Sequence, residues 1–166
     1  MVDPPLRIRA LGIDGGTLEC GYGLVLIEGA RASFLECGTV ATSFPALREL
    51  ITALAPDVVG VEDVVFMRQE ADLLGTQNAS SMARCAAMSL DVLHYVVVSN
   101  VWRNNLGIKM SKRNDKRTTD LKIHEMLRQR LANFPARGKT NNHQRDGTGV
   151  ALWSGLKLQG ERLRTK

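Results

Sequence analysis

Residues 9–23, RALGIDGGTLECGYG, decide the predicted fold of this chain. The alternating apolar residues up to Ile13 are typical of a buried strand that ends at Asp14, and residues 22–27 predict the returning strand of a hairpin. The two glycines after Asp14 allow a turn that no side chain obstructs. An acid at the end of a central strand is costly to bury unless it meets a cation or its pKa rises. We therefore treat Asp14 as a candidate functional residue.

Two other interpretations fit this stretch when it is taken alone. Asp14 could cap its own turn in an ordinary hairpin. The glycine turn could also cradle phosphate in an ATPase of the actin and sugar-kinase type, but 166 residues are far too few for the two lobes of such an enzyme. The acids later in the chain decide between these interpretations.

The rest of the chain predicts a mixed α/β domain with a five-stranded sheet flanked by helices. Strands are expected at residues 6–13, 21–28, 32–39, 57–62 and 94–99, and helices from Ser43 to before Pro56, at 70–90, from Thr118 or Thr119 to near Pro135, and from about His143 onward. Residues 101–117 predict a basic, turn-rich segment. We expect one domain over residues 1–166, with flexible ends at 1–5 and about 159–166.

A second acid, Glu62, ends a short run of β-branched residues that follows a helix. Such a run predicts a buried strand parallel to the first. Sites in open α/β sheets gather at the carboxyl ends of parallel strands, so Glu62 and Asp14 are expected close together. Asp63 should point to the opposite face and is a weaker candidate.

Charge and composition limit the partners and the compartment. The formal net charge is +5, with many of the bases between residues 103 and 122, which makes a polyanionic partner plausible. Three cysteines show neither metal-ligand nor disulfide spacing. Since the chain shows no signal peptide and no apolar run of membrane-spanning length, we expect a cytoplasmic protein.

Three motifs together resemble the RuvC family of Holliday-junction resolvases, which have a ribonuclease H-like fold. The matching stretches are LGIDGGT with GYG (11–17 and 21–23), EDVVFM with AD (62–67 and 71–72), and HQRD followed by GTGVALW (143–146 and 147–153). The family commonly has proline in place of Gly15, and the second motif here has one extra residue before Phe66. Many members begin the last motif with Asp, where this chain has His143.

The resemblance implies that Asp14, Glu62, His143 and Asp146 bind divalent metal and are catalytic. Clustered carboxylates repel one another unless cations neutralise them. Oxygen ligands suit Mg²⁺, and an imidazole moves the preference towards Mn²⁺, which is expected to substitute. Two ions about 4 Å apart would act on the scissile phosphate. The alternative for His143 is that it only caps the final helix.

The resemblance also implies DNA-binding residues. Phe66 matches an aromatic that the family inserts against bases at the junction centre, although it could instead be a core residue after a strand. Arg103, Lys116 and Lys122 are the candidates for lysines that contact the cleaved backbone in the family. Their alternative is a solvated basic face.

The resemblance therefore implies a metal-dependent endonuclease that resolves four-way DNA junctions as a homodimer, leaving 5′-phosphate and 3′-hydroxyl ends. A two-fold dimer would present two sites to two symmetric strands. The alternatives are a broader nuclease acting on flaps, forks and replication intermediates, or a catalytically idle junction-binding module. Small size and the His-x-x-Asp variant would also suit a phage-encoded member. The sequence does not indicate a motor partner or a cleavage sequence.

Overall fold

The computed structural model of the chain describes residues 5–63, 70–109 and 116–165. Within these ranges the strands are β1 (Arg7–Asp14), β2 (Glu19–Glu28), β3 (Arg31–Ala41), β4 (Val58–Asp63) and β5 (Leu93–Val98). The helices are α1 (Phe44–Leu54), α2 (Glu70–Ser89), α3 (Ser99–Asn105), α4 (Lys116–Arg130) and α5 (Asn142–Arg164). None of the described helices combines the length and the apolar composition that a bilayer span requires.

The described strands form one mixed sheet in the order β3-β2-β1-β4-β5. β2 pairs antiparallel with β1 and with β3, whereas β4 is parallel to β1 and β5 is parallel to β4. The predicted five-stranded α/β sheet is therefore confirmed, including the parallel β1–β4 pair. The carboxyl ends of β1, β4 and β5 meet at one edge of the sheet.

Alternating side chains divide the core into two layers. Ile8 and Ala10 of β1 pack in one apolar cluster with residues of α5, α3 and α4. Leu11 and Ile13 pack in a second cluster with residues of α1 and α2. Because successive side chains of a strand point to opposite faces, Asp14 shares the α5 face with Ala10. The α5 face of the sheet is therefore where a site at the end of β1 must lie.

Two glycines in the sheet let the backbone of α5 lie directly against the backbone of β1 and β2. A Cβ atom at Gly12 would lie 2.0 Å from the carbonyl oxygen of Gly147 and 2.3 Å from the amide nitrogen of Ala151. A Cβ atom at Gly21 would lie 2.4 Å from the carbonyl carbon of His143. Any larger side chain would push the helix away, so these glycines hold the first turns of α5 against the β1–β2 hairpin.

Residues 99–105 correct one prediction. The prediction of a turn-rich segment from residue 101 is wrong for its first residues, because the chain passes directly from β5 into α3. Trp102 of this helix is completely buried and contacts Gly149 of α5, and this burial stabilises a helix only seven residues long.

α4 also begins earlier than expected, at Lys116. The predicted start of α1 is confirmed, since the Ser43 hydroxyl accepts a hydrogen bond from the amide of Ala46 at 3.4 Å.

Candidate active site

Three carboxylates meet at the edge of the sheet where β1 and β4 end. Asp14 is the last residue of β1, Glu62 is the penultimate residue of β4, and Asp146 lies in the second turn of α5. One oxygen from each lies within 4.8 Å of the other two. The parallel β1–β4 pair brings the first two together, and the close approach of α5 adds the third.

Burial and mutual repulsion raise the pKa values of two carboxyl groups in this cluster. Glu62 is only 3% exposed, and burial, followed by the charges of Asp14 and Asp146, raises its pKa to about 8. Burial likewise raises the pKa of Asp146 to about 7, although the Arg103 guanidinium opposes the rise. Even with Arg103 beside them, Glu62 and Asp146 therefore bind protons near neutral pH far more readily than free carboxyl groups do, unless a further cation joins them.

The donor set fits a hard divalent cation. All three groups offer carboxylate oxygens, which are the ligands that Mg²⁺ and Mn²⁺ accept. One oxygen of Glu62, Oε2, is buried and has no hydrogen-bond partner within the described residues. A buried acceptor without a partner costs free energy that a bound cation would recover. The cluster is thus able to bind metal.

His143 lies beside the cluster and contacts Asp14. Its Nδ1 is 2.6 Å from Oδ2 of Asp14, and this hydrogen bond raises the pKa of the imidazole. His143 is outside the set of three mutually close ligands, and its side chain is about half exposed. The alternative that His143 caps the helix is wrong. Asn141 is the N-cap, and its side chain and that of Gln144 form a reciprocal capping box.

Two residues of helix α3, Ser99 and Arg103, also contact the carboxylates. The Ser99 hydroxyl donates a hydrogen bond to Oε1 of Glu62. Arg103, one turn later, places Nη2 3.1 Å from Oδ2 of Asp146 and 4.0 Å from Oε1 of Glu62. Sequence reasoning missed Ser99. The signal was its position directly after β5, because a residue that follows a parallel strand falls at the edge that already holds Glu62.

The other basic candidates for DNA binding, Lys116 and Lys122, line two different cavities. Lys116 lines a cavity of about 320 Å³ together with Arg103 and Asp146. Lys122 lines a separate cavity of about 420 Å³, and its ammonium donates to the carbonyl oxygen of Lys109 at 3.2 Å. Of the three basic candidates, Arg103 contacts the carboxylates directly and Lys116 shares a cavity with Asp146, whereas Lys122 lines a different cavity. Phe66 lies outside the described residues.

Arg145 lies inside the HQRD motif of residues 143–146, but its role is structural. It is 7% exposed, and its Nε and Nη2 donate to the two carboxylate oxygens of Asp120 at 2.8 and 2.7 Å. Nη1 also donates to the hydroxyl oxygen of Thr140 at 3.1 Å. This bidentate pair ties α4 to α5 immediately beside Asp146. No spacing in the sequence predicts the partner, because 25 residues separate Arg145 from Asp120.

Comparison with curated proteins identifies the family. No protein-family model matches the chain. The crossover junction endodeoxyribonuclease RuvC of Paracidovorax citrulli (strain AAC00-1) is 30% identical over 162 residues, covering 87% of this chain and 82% of that relative. The chain belongs to the RuvC family. RuvC of Delftia acidovorans (strain DSM 14801 / SPH-1) is 26% identical with the same coverage, and RuvC of Sodalis glossinidius (strain morsitans) is 34% identical over 49% of this chain and 54% of that protein.

Solved structures agree on the fold. Thermus thermophilus RuvC in complex with a Holliday junction substrate matches with a TM-score of 0.68 and 22% identity, over 93% of this chain and 96% of that one. The yeast mitochondrial Holliday junction resolvase Ydc2 matches with a TM-score of 0.55 and 12% identity, over 93% and 82%. The predicted RuvC family and ribonuclease H-like fold are confirmed.

Proposed function

We propose that this chain is a metal-dependent endonuclease that resolves four-way DNA junctions by paired symmetric nicks. The observation that carries the proposal is the cluster of Asp14, Glu62 and Asp146 at the edge of a RuvC-family sheet. Buried acids that face a phosphate backbone weaken binding by repulsion. A protein that only bound junctions would gain nothing from them, so the cluster favours an enzyme over a catalytically idle module.

The metal ligands in this proposal are Asp14, Glu62 and Asp146, with His143 completing the set. We expect two Mg²⁺ ions per site, with Mn²⁺ able to substitute, because carboxylates suit both ions and an imidazole suits Mn²⁺ better than Mg²⁺. Bound ions of this kind polarise the scissile phosphate and lower the pKa of the attacking water. The hydrogen bond between His143 and Asp14 fixes the orientation of both side chains before metal arrives.

The positive residues around the carboxylates would hold the DNA backbone. Arg103 and Lys116 line the cavity beside Asp146, so they can meet phosphates that flank the cut. Lys122, six residues further along α4 than Lys116, extends the same basic helix. Phe66, which follows the Glu62 strand in sequence, is proposed to stack against bases at the junction centre.

Branched DNA and a second copy of the chain are the proposed partners. The similar structure of T. thermophilus RuvC was solved with a Holliday junction substrate. A four-way junction offers two symmetric strands, and a two-fold homodimer would present one carboxylate cluster to each of them. Cuts that leave 5′-phosphate and 3′-hydroxyl ends would give nicks that a ligase can seal.

Asp14→Asn tests this assignment. The substitution removes a metal ligand and its charge but keeps the shape of the side chain, so cutting of a synthetic junction in Mg²⁺ should stop. Junction binding should persist, because phosphate contacts by basic residues dominate affinity. Glu49→Gln, which removes an exposed acid on α1, is the matched control and should cut normally. Wild-type cutting by Asp14→Asn would refute the active site.

A substrate panel separates the proposal from the broader alternative. Four-way junctions, flaps, forks and linear duplex should be compared at equal concentration. Preference for the four-way junction, with nicks at symmetric positions, is expected. Equal rates on all branched substrates would establish the broader branched-DNA nuclease instead.

A further inference from the structure

The carboxylate cluster already has a cation partner within the chain. Arg103 places Nη2 3.1 Å from Oδ2 of Asp146 and 4.0 Å from Oε1 of Glu62. The neighbouring Trp102 is completely buried and anchors α3, and the guanidinium carbon of Arg103 lies 5.1 Å from the centre of its ring. The guanidinium is therefore held against two of the three proposed metal ligands.

We propose that Arg103 is the internal counter-ion of the metal-free site, which divalent metal must displace, and that the displaced guanidinium then contacts the DNA phosphate. This inference rests on the metal centre of the proposed function. It gives Arg103 two successive partners, the carboxylates at rest and the phosphate during cleavage. Metal binding and DNA engagement are thereby linked through one side chain.

A guanidinium and a metal ion compete for the same oxygens. The hydrogen bond from Nη2 uses a lone pair of Asp146 that a metal would need, and two cations at this distance repel each other. A lysine could resolve the conflict by losing its proton. Arginine stays protonated, so Arg103 must move when metal binds.

In the metal-free site Arg103 does not make all of its hydrogen bonds, so moving it away costs little free energy. Nε of Arg103 is buried and, like Oε2 of Glu62, has no hydrogen-bond partner within the described residues. Nε and Nη2 together form a fork that matches two oxygens of one phosphate group. The cavity of about 320 Å³ next to Arg103, also lined by Lys116 and Asn142, provides space for the side chain to move. Transfer to phosphate would satisfy both nitrogens of this fork and release Asp146.

The test is the affinity of the DNA-free protein for Mn²⁺, measured by titration calorimetry at about pH 8, where the carboxylates ionise more readily. Arg103→Gln removes the competitor, so it should bind Mn²⁺ at least about tenfold more tightly than wild type, within the usual range of coupling between sites. If Arg103 only held the local structure in place, the substitution would weaken Mn²⁺ binding, because a disturbed site binds metal less well. Arg48→Gln, the loss of an exposed arginine on α1, should leave the affinity unchanged.

Thermal unfolding gives a second readout. In chelator at about pH 8, where more of the carboxyl groups are ionised, Arg103→Gln should melt below wild type, because the carboxylates have lost their counter-ion. Added Mn²⁺ should raise its melting temperature more than that of wild type, since tighter binding stabilises more at equal metal concentration. If Arg103→Gln does not fold, Arg103→Lys keeps a cation without the fork and should show a smaller gain in affinity.

Each failure has a distinct meaning. An unchanged or weaker Mn²⁺ affinity in a folded Arg103 variant would overturn the counter-ion role. If the wild type still binds Mn²⁺ in that experiment, the proposed function stands. Absence of Mn²⁺ binding in both proteins would overturn the metal centre and this inference together.

Discussion

Glu62→Gln should stabilise the metal-free protein while it abolishes cleavage. Glu62 is buried beside Asp14 and Asp146, and its pKa rises from 4.5 to about 8 on folding. The folded state therefore retains a proton that the unfolded state has released at neutral pH. Glutamine has nearly the same shape, cannot ionise, and avoids this cost.

The sign and size follow from the two pKa values. An acid whose folded pKa is raised leaves stability intact below pH 4.5 and reduces it as the pH rises towards 8. Each pH unit in this window costs about 1.4 kcal/mol, so the wild type should lose about 3 kcal/mol of unfolding free energy by pH 7. In a domain of this size, that difference corresponds to about 6–12 °C in melting temperature.

The assay is thermal unfolding of wild type and Glu62→Gln in chelator at several values between about pH 4.5 and pH 8. The two proteins should melt together at the acid end and separate progressively with rising pH, with the variant higher. Glu49→Gln should track the wild type throughout, since Glu49 is exposed on α1. A variant that is no more stable at pH 7, or a gain that is the same at every pH, would refute the reasoning.

Three further predictions concern the remaining site residues. His143→Asp should retain activity at lower pH than wild type. The hydrogen bond to Asp14 raises the pKa of the imidazole, and protons compete with metal for its nitrogen. An unshifted pH–rate profile for both His143→Asp and His143→Ala would remove His143 from the site. Neutralising Lys116 and Lys122 together should weaken binding to junction and duplex alike and reduce the log–log salt slope by about one unit per lost phosphate contact, whereas an unchanged slope would mean a merely solvated basic face. Phe66→Ala should lose cleavage in a folded protein, with about 1–3 kcal/mol lost per stacked base; full activity would return Phe66 to a core role.

The strand-borne half of the site could be predicted because simple rules place it. Parallel strands end at one edge of the sheet, and side chains alternate between faces, so Asp14 and Glu62 follow from the two apolar runs that precede them. The same alternation predicts that Asp63, the last residue of β4, points to the opposite face. The three-residue spacing of His143 and Asp146 placed both on one side of a helix, and both lie next to Asp14 or Glu62.

The contacts from α3 could not be predicted in the same way. α3 has seven residues, which is too short for a periodic apolar pattern, and its position depends on the burial of Trp102. The sequence showed that Arg103 is basic, but its pairing with Asp146 depends on how α3 and α5 pack. Charge along a sequence does not distinguish a residue that faces solvent from one that faces buried carboxylates.

Cleavage of a synthetic mobile four-way junction, mapped at nucleotide resolution with Mg²⁺ and with chelator, tests the central claim most directly. We predict paired nicks at symmetric positions in Mg²⁺, with 5′-phosphate and 3′-hydroxyl ends, and none in chelator or with Asp14→Asn. Cleavage that persists in chelator, or a well-folded wild-type protein that binds the junction in Mg²⁺ without cutting it, would contradict the account.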